Sequence, residues 1–323
     1  MVFAAGLPIR IYGSGKGNVK ITFAGISKSL VSDSDTWFVS FPPMDFGGPY
    51  ELKAVFDDNT VLLQDIYIGK VFLCAGQSNM QFKIGEGNIP EQLLVSNEKL
   101  RMFVTDRLEP ERFSAKDGWV KAEKDNIADW SAIGYLVGNG VSVTEDVAVG
   151  IIGCYQGASM IESWVPEGTF QADGIAVPDE KKHPDFRFKP FDTWNRDAVL
   201  YNYAFSQVKP FSVTAVLWYQ GESNASTEGG TVYLKMLEKL IKIWRADFEN
   251  DLLPFVVVQI ADCTHRLTEG WRLVQKAQLD IERTVNGVKT VISADVCETD
   301  NIHPPTKHLL AERIVSALTE LIN

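Results

Sequence analysis

Four short blocks of this 323-residue chain combine small, polar and turn-forming residues in a way that could do chemistry. They are Ala75-Gly76-Gln77-Ser78-Asn79-Met80, Tyr155-Gln156-Gly157-Ala158-Ser159, Gln220-Gly221-Glu222-Ser223-Asn224 and Asp300-Asn301-Ile302-His303-Pro304. Ser78 comes shortly after a glycine, where an apolar stretch gives way to a helical one. Its hydroxyl can therefore be exposed at a helix N-terminus, among backbone N–H groups that stabilise developing negative charge. A helix N-cap is the alternative role for the same serine. Met80, in place of a second glycine, separates the block from the G-x-S-x-G elbow.

A serine hydroxyl is a weak nucleophile until a base takes its proton, and the base works best when a carboxylate orients it. The histidines are His183, His265, His303 and His308. His183 and His265 fall in polar, turn-rich stretches and read as surface residues, and His308 opens the last helical segment. His303 differs. Asp300 lies three residues before it and Pro304 stiffens the chain immediately after it, so both side chains can converge within one turn. A D-x-x-H tetrapeptide by itself is a common solvated turn, and its meaning comes from the other blocks. Glu162 and Glu222 admit a second chemistry, a two-carboxylate glycosidase, but that leaves Ser78, Asp300 and His303 without a role. Trp164, Trp218 and Tyr219 offer flat faces to a sugar, with core packing as the alternative, foremost for Trp218. Cys74 reads as an inert core thiol.

These residues need a scaffold, and the composition supplies a globular one. Hydrophobic residues make up 45% and charged residues 23%, which excludes a disordered tail protein. The balance of 31 basic against 42 acidic side chains, a net charge of −11, repels nucleic acid and anionic membrane and excludes both as main partners. Cys74, Cys154, Cys263 and Cys297 form no CxxC pair, so neither a zinc ribbon nor a disulfide framework is signalled, and no cofactor is expected. No leader-like segment and no apolar run near about 18 residues is present, so a cytoplasmic location is expected. The sequence carries no signal of oligomeric state.

Residues 1–66 alternate apolar and polar positions in short runs such as Val19-Ile21-Phe23 and Leu52-Ala54-Phe56, broken by Gly, Pro, Asn and Asp turns. This predicts a small antiparallel, sandwich-like β domain. Residues 67–323 read differently, as near-continuous apolar strands separated by helical periods, the pattern of a doubly wound α/β domain. Strands are expected at Val71–Cys74, Val147–Cys154, Val213–Tyr219, Phe255–Ile260 and Val288–Ser293. Helical stripes run through Tyr233, Met236, Leu237, Leu240, Ile241 and Trp244, and through Leu310, Ile314, Leu318 and Leu321. The segment Val165–Thr193 fits neither pattern and predicts a long ordered loop, a lid or substrate wall. Ligands of open α/β sheets gather at the carboxyl ends of strands, where all four blocks fall.

Taken together the blocks, with Ile161-Glu162-Ser163-Trp164 and Trp218-Tyr219 beside them, resemble the sialate O-acetylesterase family of SGNH-type carbohydrate esterases. Leu7–Gly13, Pro42–Tyr50 and Asp65–Gly69 resemble the β domain that precedes the catalytic domain in its bacterial members. The resemblance implies an SGNH-hydrolase-like, flavodoxin-like sheet with helices on both faces. It implies Ser78 as nucleophile, His303 as base and Asp300 as orienting acid. The oxyanion hole would combine the backbone N–H groups of Ser78 and Gly157 with a side-chain amide, Gln220 or Asn224. Gln77, Trp164, Glu222 and Asn202, the last in a Tyr-Asn pair, would contact the sugar. Gln156-Gly157-Ala158 departs from the family's Trp-Gly-Gly run, which bears on which sugar is bound. The implied activity is removal of O-acetyl groups, from the 9-position of sialate first and from acetylated xylan second, without a metal. A catalytically silent carbohydrate-binding protein is the remaining alternative. A sialate carboxylate calls for a cation, for which Arg187 and Lys189 are candidates.

Overall fold

In the computed structural model of the protein, which describes residues 1–57, 59–108, 112–175 and 194–322, the alternating N-terminal runs form strands. These are β1 (Val2–Ala4), β2 (Ile9–Ser14), β3 (Gly17–Phe23), β4 (Ile26–Ser32), β5 (Thr36–Phe41), β6 (Gly47–Phe56) and the start of β7 (Asn59–Gly76). β3 pairs antiparallel with β4 and β6, and β6 pairs with β7. β2 and β5 make a separate antiparallel ribbon. The ribbon packs on the sheet through Phe41 of β5, whose ring meets Phe23 of β3 edge-on at 6.1 Å. Every second side chain of β3 from Val19 to Phe23 is buried, as a one-sided sheet requires.

β7 belongs to both halves of the chain. Its residues 59–65 are exposed, while residues 68–76 are buried, lying between two parallel neighbours over most of that length. β1 runs parallel beside its middle, Val2–Ala4 against Tyr67–Gly69. The expected division between residues 66 and 67 therefore falls within one unbroken strand.

The remaining strands are β8 (Asn97–Val104), β9 (Val120–Ala122), β10 (Val149–Tyr155), β11 (Ala215–Tyr219), β12 (Phe255–Val258) and β13 (Val288–Val291). The order is β13-β12-β11-β7-β10-β8-β9, parallel except for β9. Strands β10 to β13 lie within two residues of their expected ends. β8 and β9 were not expected. The segment Asn97-Glu98-Lys99-Leu100-Arg101-Met102 has too many charges to read as a parallel strand, and Arg101 is buried there by pairing with Asp65 and lying over the Tyr67 ring.

Helices are α1 (Ser78–Gln81), α2 (Ala132–Glu145), α3 (Thr169–Ala172), α4 (Val199–Tyr203), α5 (Thr227–Asp247), α6 (Glu269–Thr284) and α7 (His308–Ile322). Side-chain oxygens of Ser131, Ser226 and Thr268 cap α2, α5 and α6 by accepting backbone N–H groups of their first turns. The sheet is covered on both faces, and the alternation of strand residues sorts two cores. Val71, Leu73, Val216 and Trp218 face α5 and the N-terminal β unit, while Phe72, Cys74, Ala215 and Leu217 face α2 and α7. The predicted stripe of α5 is buried throughout, from Tyr233 to Trp244. α3 begins the segment expected to be a long loop, of which His183, Arg187 and Lys189 lie outside the described residues. Among the described residues no helix is long and apolar enough to cross a membrane, and no group of three His, Cys, Asp or Glu side chains could hold a metal.

Candidate active site

Strand order reverses around β7, and the first three blocks leave neighbouring strands there, from β7, β10 and β11. At the end of β7, Gly76 has φ +136° and its backbone presses against β11, so that a Cβ would stand 2.1 Å from the Tyr219 carbonyl oxygen. A glycine is needed at that approach. Gln77 then anchors the turn: its N–H donates to Tyr219 O, and its side-chain oxygen accepts the N–H groups of Gly221 and Ser223. The N-cap of α1 is Gln77, and Ser78 is the first helical residue. The Ser78 N–H thus lies at the open N-terminal turn, where backbone donors have no helical acceptor.

Two loops bring a base to this serine. His303 Nε2 is 2.8 Å from Ser78 Oγ. Asn79 donates from Nδ2 to Ile302 O at 2.9 Å, tying the residue after the serine to the residue before the histidine. Asn301 Oδ1 accepts the His303 N–H at 2.9 Å and shapes the loop. Burial, the Lys307 ammonium and Arg266 hold the imidazole below its usual pKa, against an opposing pull from Glu86. The ring is therefore neutral near pH 7 and able to accept a proton. Ser78 and His303 open into a cleft of about 370 Å³ with Gln81, Phe82, Glu86, Gly157, Asn301 and Pro305.

Asp300 does not join them. Its side chain is exposed, and among the described contacts no hydrogen bond or ion pair reaches His303 from it. The expected three-residue relay is reduced in this structure to a serine–histidine pair. Asp295, another acid near the loop, is held by Arg313 through two 2.6 Å contacts.

Gly157 lies at the cleft wall, and its N–H donates to Gln81 Oε1 at 2.8 Å. Ala158 comes next with φ +53°, a left-handed conformation that a glycine would adopt without strain. Asn195 clamps this turn, donating to Ala158 O and accepting the Met160 N–H. Neither proposed side-chain amide reaches the cleft. Gln220 is fully buried and donates to Ser159 O and Asn224 Oδ1, while its own oxygen accepts from the Tyr233 hydroxyl. Asn224 donates to Glu162 Oε2 and accepts the Ile161 N–H. A buried amide must satisfy its polar atoms, and these two do so by welding the second and third blocks together.

The expected sugar contacts are also placed elsewhere. Trp164 is fully buried, donates to Ser159 Oγ, and packs edge-on against Trp218 and Trp244. Glu222 is buried with Asn79 Nδ2 at 2.6 Å, and Gln77 is the turn anchor described above. Asn202 is exposed on α4 and does not line the cleft. Trp218 and Tyr219 are core residues. The sequence pattern did not single out Gln81, Glu86, Asn195 or Lys307. For Lys307 a signal existed: a lysine directly before a helix opposes the helix dipole and needs a reason.

Comparison with known proteins gives this geometry a family. Residues 68–319 match the family model described as carbohydrate esterase, sialic acid-specific acetylesterase. Sialate O-acetylesterase of Mus musculus is 25% identical over 342 residues, covering 88% of this chain and 63% of the relative. The Homo sapiens protein of the same name is 26% identical over 324 residues, covering 88% and 60%. The chain thus spans less than two thirds of the length of these relatives. Among solved structures, a carbohydrate acetylesterase from Xanthomonas citri superposes with a TM-score of 0.85 at 24% identity, covering 99% of this chain and 73% of that one. At that identity the likeness is one of fold.

Proposed function

The chain belongs to the sialic acid-specific acetylesterase family of carbohydrate esterases, and from that premise we propose that it removes O-acetyl groups from carbohydrate, sialate first. Ser78 is the nucleophile of this reading and His303 the base. The observation that carries it is the 2.8 Å approach of His303 Nε2 to Ser78 Oγ in an open cleft. In the cycle, Oγ attacks the acetyl carbonyl as neutral His303 accepts its proton at Nε2. That proton passes to the departing sugar oxygen, and a water activated by the same nitrogen clears the acetyl-enzyme. The oxyanion meets the backbone N–H groups of Ser78 and Gly157, the latter after exchanging Gln81 Oε1 for the substrate oxygen. Loss of one such donor costs about 10²–10³ in turnover. Asp300 stands outside the cycle.

For sialate, the carboxylate needs a cation; Lys83 and Arg107 lie behind Gln81 in a small second pocket of about 10 Å³, where Asp129 pairs with Lys83 at 3.6 Å, so a sialate would have to draw one of them toward the main cleft. Acetylated xylan oligosaccharide is the second reading, favoured by Glu86 in the main cleft, where no lysine or arginine is among the lining residues described. A two-carboxylate glycosidase loses its support, because Glu162 and Glu222 are both buried, bonded to Asn224 and Asn79, and absent from the cleft lining. The test is acetate release from 9-O-acetyl sialic acid and acetylated xylo-oligosaccharides side by side, with Ser78→Ala as control. Serine-dependent release from the sialate is the expected result. Release from the xylo-oligosaccharides alone selects the second reading, and binding of either sugar without release would leave a catalytically silent binder.

A further inference from the structure

Lys307 lies four residues after His303 and has no exposed surface. An interior lysine loses the hydration of its charge, and burial indeed pushes its ammonium down to about 8. The contacts that offset that loss are specific. Nζ donates to Asn79 Oδ1 at 2.7 Å and lies 5.0 Å from the Phe82 ring centre and 5.5 Å from that of Tyr219. The other end of the Asn79 amide donates to Glu222 Oε1 at 2.6 Å and to Ile302 O at 2.9 Å. Ammonium, amide and carboxylate thus form a buried chain beneath the cleft. Its middle member is the residue after Ser78, and one of its acceptors precedes His303.

We propose that Lys307 is a positioning residue whose ammonium anchors the Oδ1 end of the Asn79 amide and thereby holds the Ser78 helix against the His303 loop. The inference rests on reading Ser78 and His303 as the reacting pair and adds what sets their distance. An amide can be turned end for end, exchanging donor and acceptor. Here the ammonium, which can only donate, holds the Oδ1 end, while Ile302 O and Glu222, which accept, hold the NH2 end, so the amide is fixed from both sides. Without the cation Oδ1 becomes a buried acceptor that has lost its donor, the amide is held from one end alone, and Glu222 becomes a buried carboxylate without a counter-charge. The charged groups facing the imidazole are Lys307 beneath it, Arg266 from the loop after β12 and Glu86 from the turn after α1. Asp300, on the histidine's own loop, is exposed. Removing the ammonium takes away one of the positive fields opposing protonation of the ring.

The test compares Lys307→Met and the double variant Lys307→Met with Glu222→Gln against the unmodified chain, measuring acetate release from a small acetyl ester across pH. The double variant leaves no buried charge unpaired and carries the comparison if the single one does not fold. In folded protein, kcat is expected to fall by about 10²-fold with KM nearly unchanged, because the reacting atoms are misplaced. The acid limb of kcat/KM is expected to move to higher pH as the positive field on His303 is lost, while the fall in kcat at unchanged KM is the change that a merely structural lysine would not cause. Unchanged kcat in a folded variant would overturn the proposal, wherever the acid limb falls. Ser78→Ala, run in parallel, separates the two readings: if it stays active the reacting pair itself is misassigned, whereas if it is inactive and the lysine variants are not, only the positioning role fails.

Discussion

At the residue scale, the meeting of Ser78 and His303 was legible because the first follows the end of β7 and the second lies in the loop after β13, and strand ends can be read from hydrophobic runs. The acid was not. Spacing puts Asp300 within one turn of His303 but does not fix which way its side chain faces, and Asn301 shapes that loop by accepting the His303 N–H. Where a buried aspartate holds a catalytic histidine in its working tautomer, exchange for asparagine costs about 10⁴ in turnover. Here Asp300 is exposed and no hydrogen bond joins it to the ring, so Asp300→Asn is expected to keep acetate release within about tenfold. Steady-state kinetics on the folded variant checks this, and a loss of several orders of magnitude would mean that the loop rearranges when substrate binds. The same blindness to side-chain direction explains Trp164, Glu222 and Asn202. Each stands near the site in sequence, yet the first two face the interior and the third faces solvent.

At the element scale, the second and third blocks act as parts of one buried polar network. Glu162, Asn224, Gln220, Tyr233 and Gln278 bond to one another or to the Gln220 carbonyl, joining the turns after β10 and β11 to α5 and α6. Sequence shows that these blocks are polar but not that their polarity is spent on each other, so nothing in it spoke against the oxyanion role that the family resemblance implied for Gln220 or Asn224. Burial pushes the Glu162 carboxyl up to about 7, against the pull of the Asn224 amide. A carboxyl raised in the folded state binds its proton more tightly there than in the unfolded chain. Its contribution therefore favours folding below the unfolded value and is lost as pH rises toward 7, a change of about 3 kcal/mol. Glu162→Gln removes this dependence. Urea unfolding at a series of pH values between about 4.5 and 8, which brackets the shift, should show the variant gaining on the unmodified chain as pH rises, and a constant difference between them would contradict it. β8 was missed for a related reason: Arg101 is charged in sequence, and only its partners Asp65 and Tyr67, distant along the chain, make its burial tolerable.

At the scale of the whole molecule, the change in hydrophobic period near residue 66 was legible, but a strand that serves two packing environments has no signature at its crossing point. β7 passes from exposed to buried without a break. The N-terminal unit is further fastened by Phe3, which stacks on Phe211 at 5.4 Å and meets Phe23 edge-on at 5.7 Å, and by the Tyr12 hydroxyl on Gln207 O. The two parts should therefore unfold together. Phe3→Ala, at a position 4% exposed, is expected to cost about 3–5 kcal/mol and to lower a single calorimetric transition. Two transitions, with only the lower one moved, would show the parts to be independent. The proposed function turns on one chemical event, acetyl transfer to Ser78, and the most direct measurement is mass spectrometry of acid-quenched reactions of the intact chain with an O-acetylated sugar. A single acetyl group on the peptide carrying Ser78, absent from Ser78→Ala and greatly slowed in His303→Ala, is the predicted result. Turnover with no acetyl group on Ser78 at any reaction time, undiminished in Ser78→Ala, would contradict it.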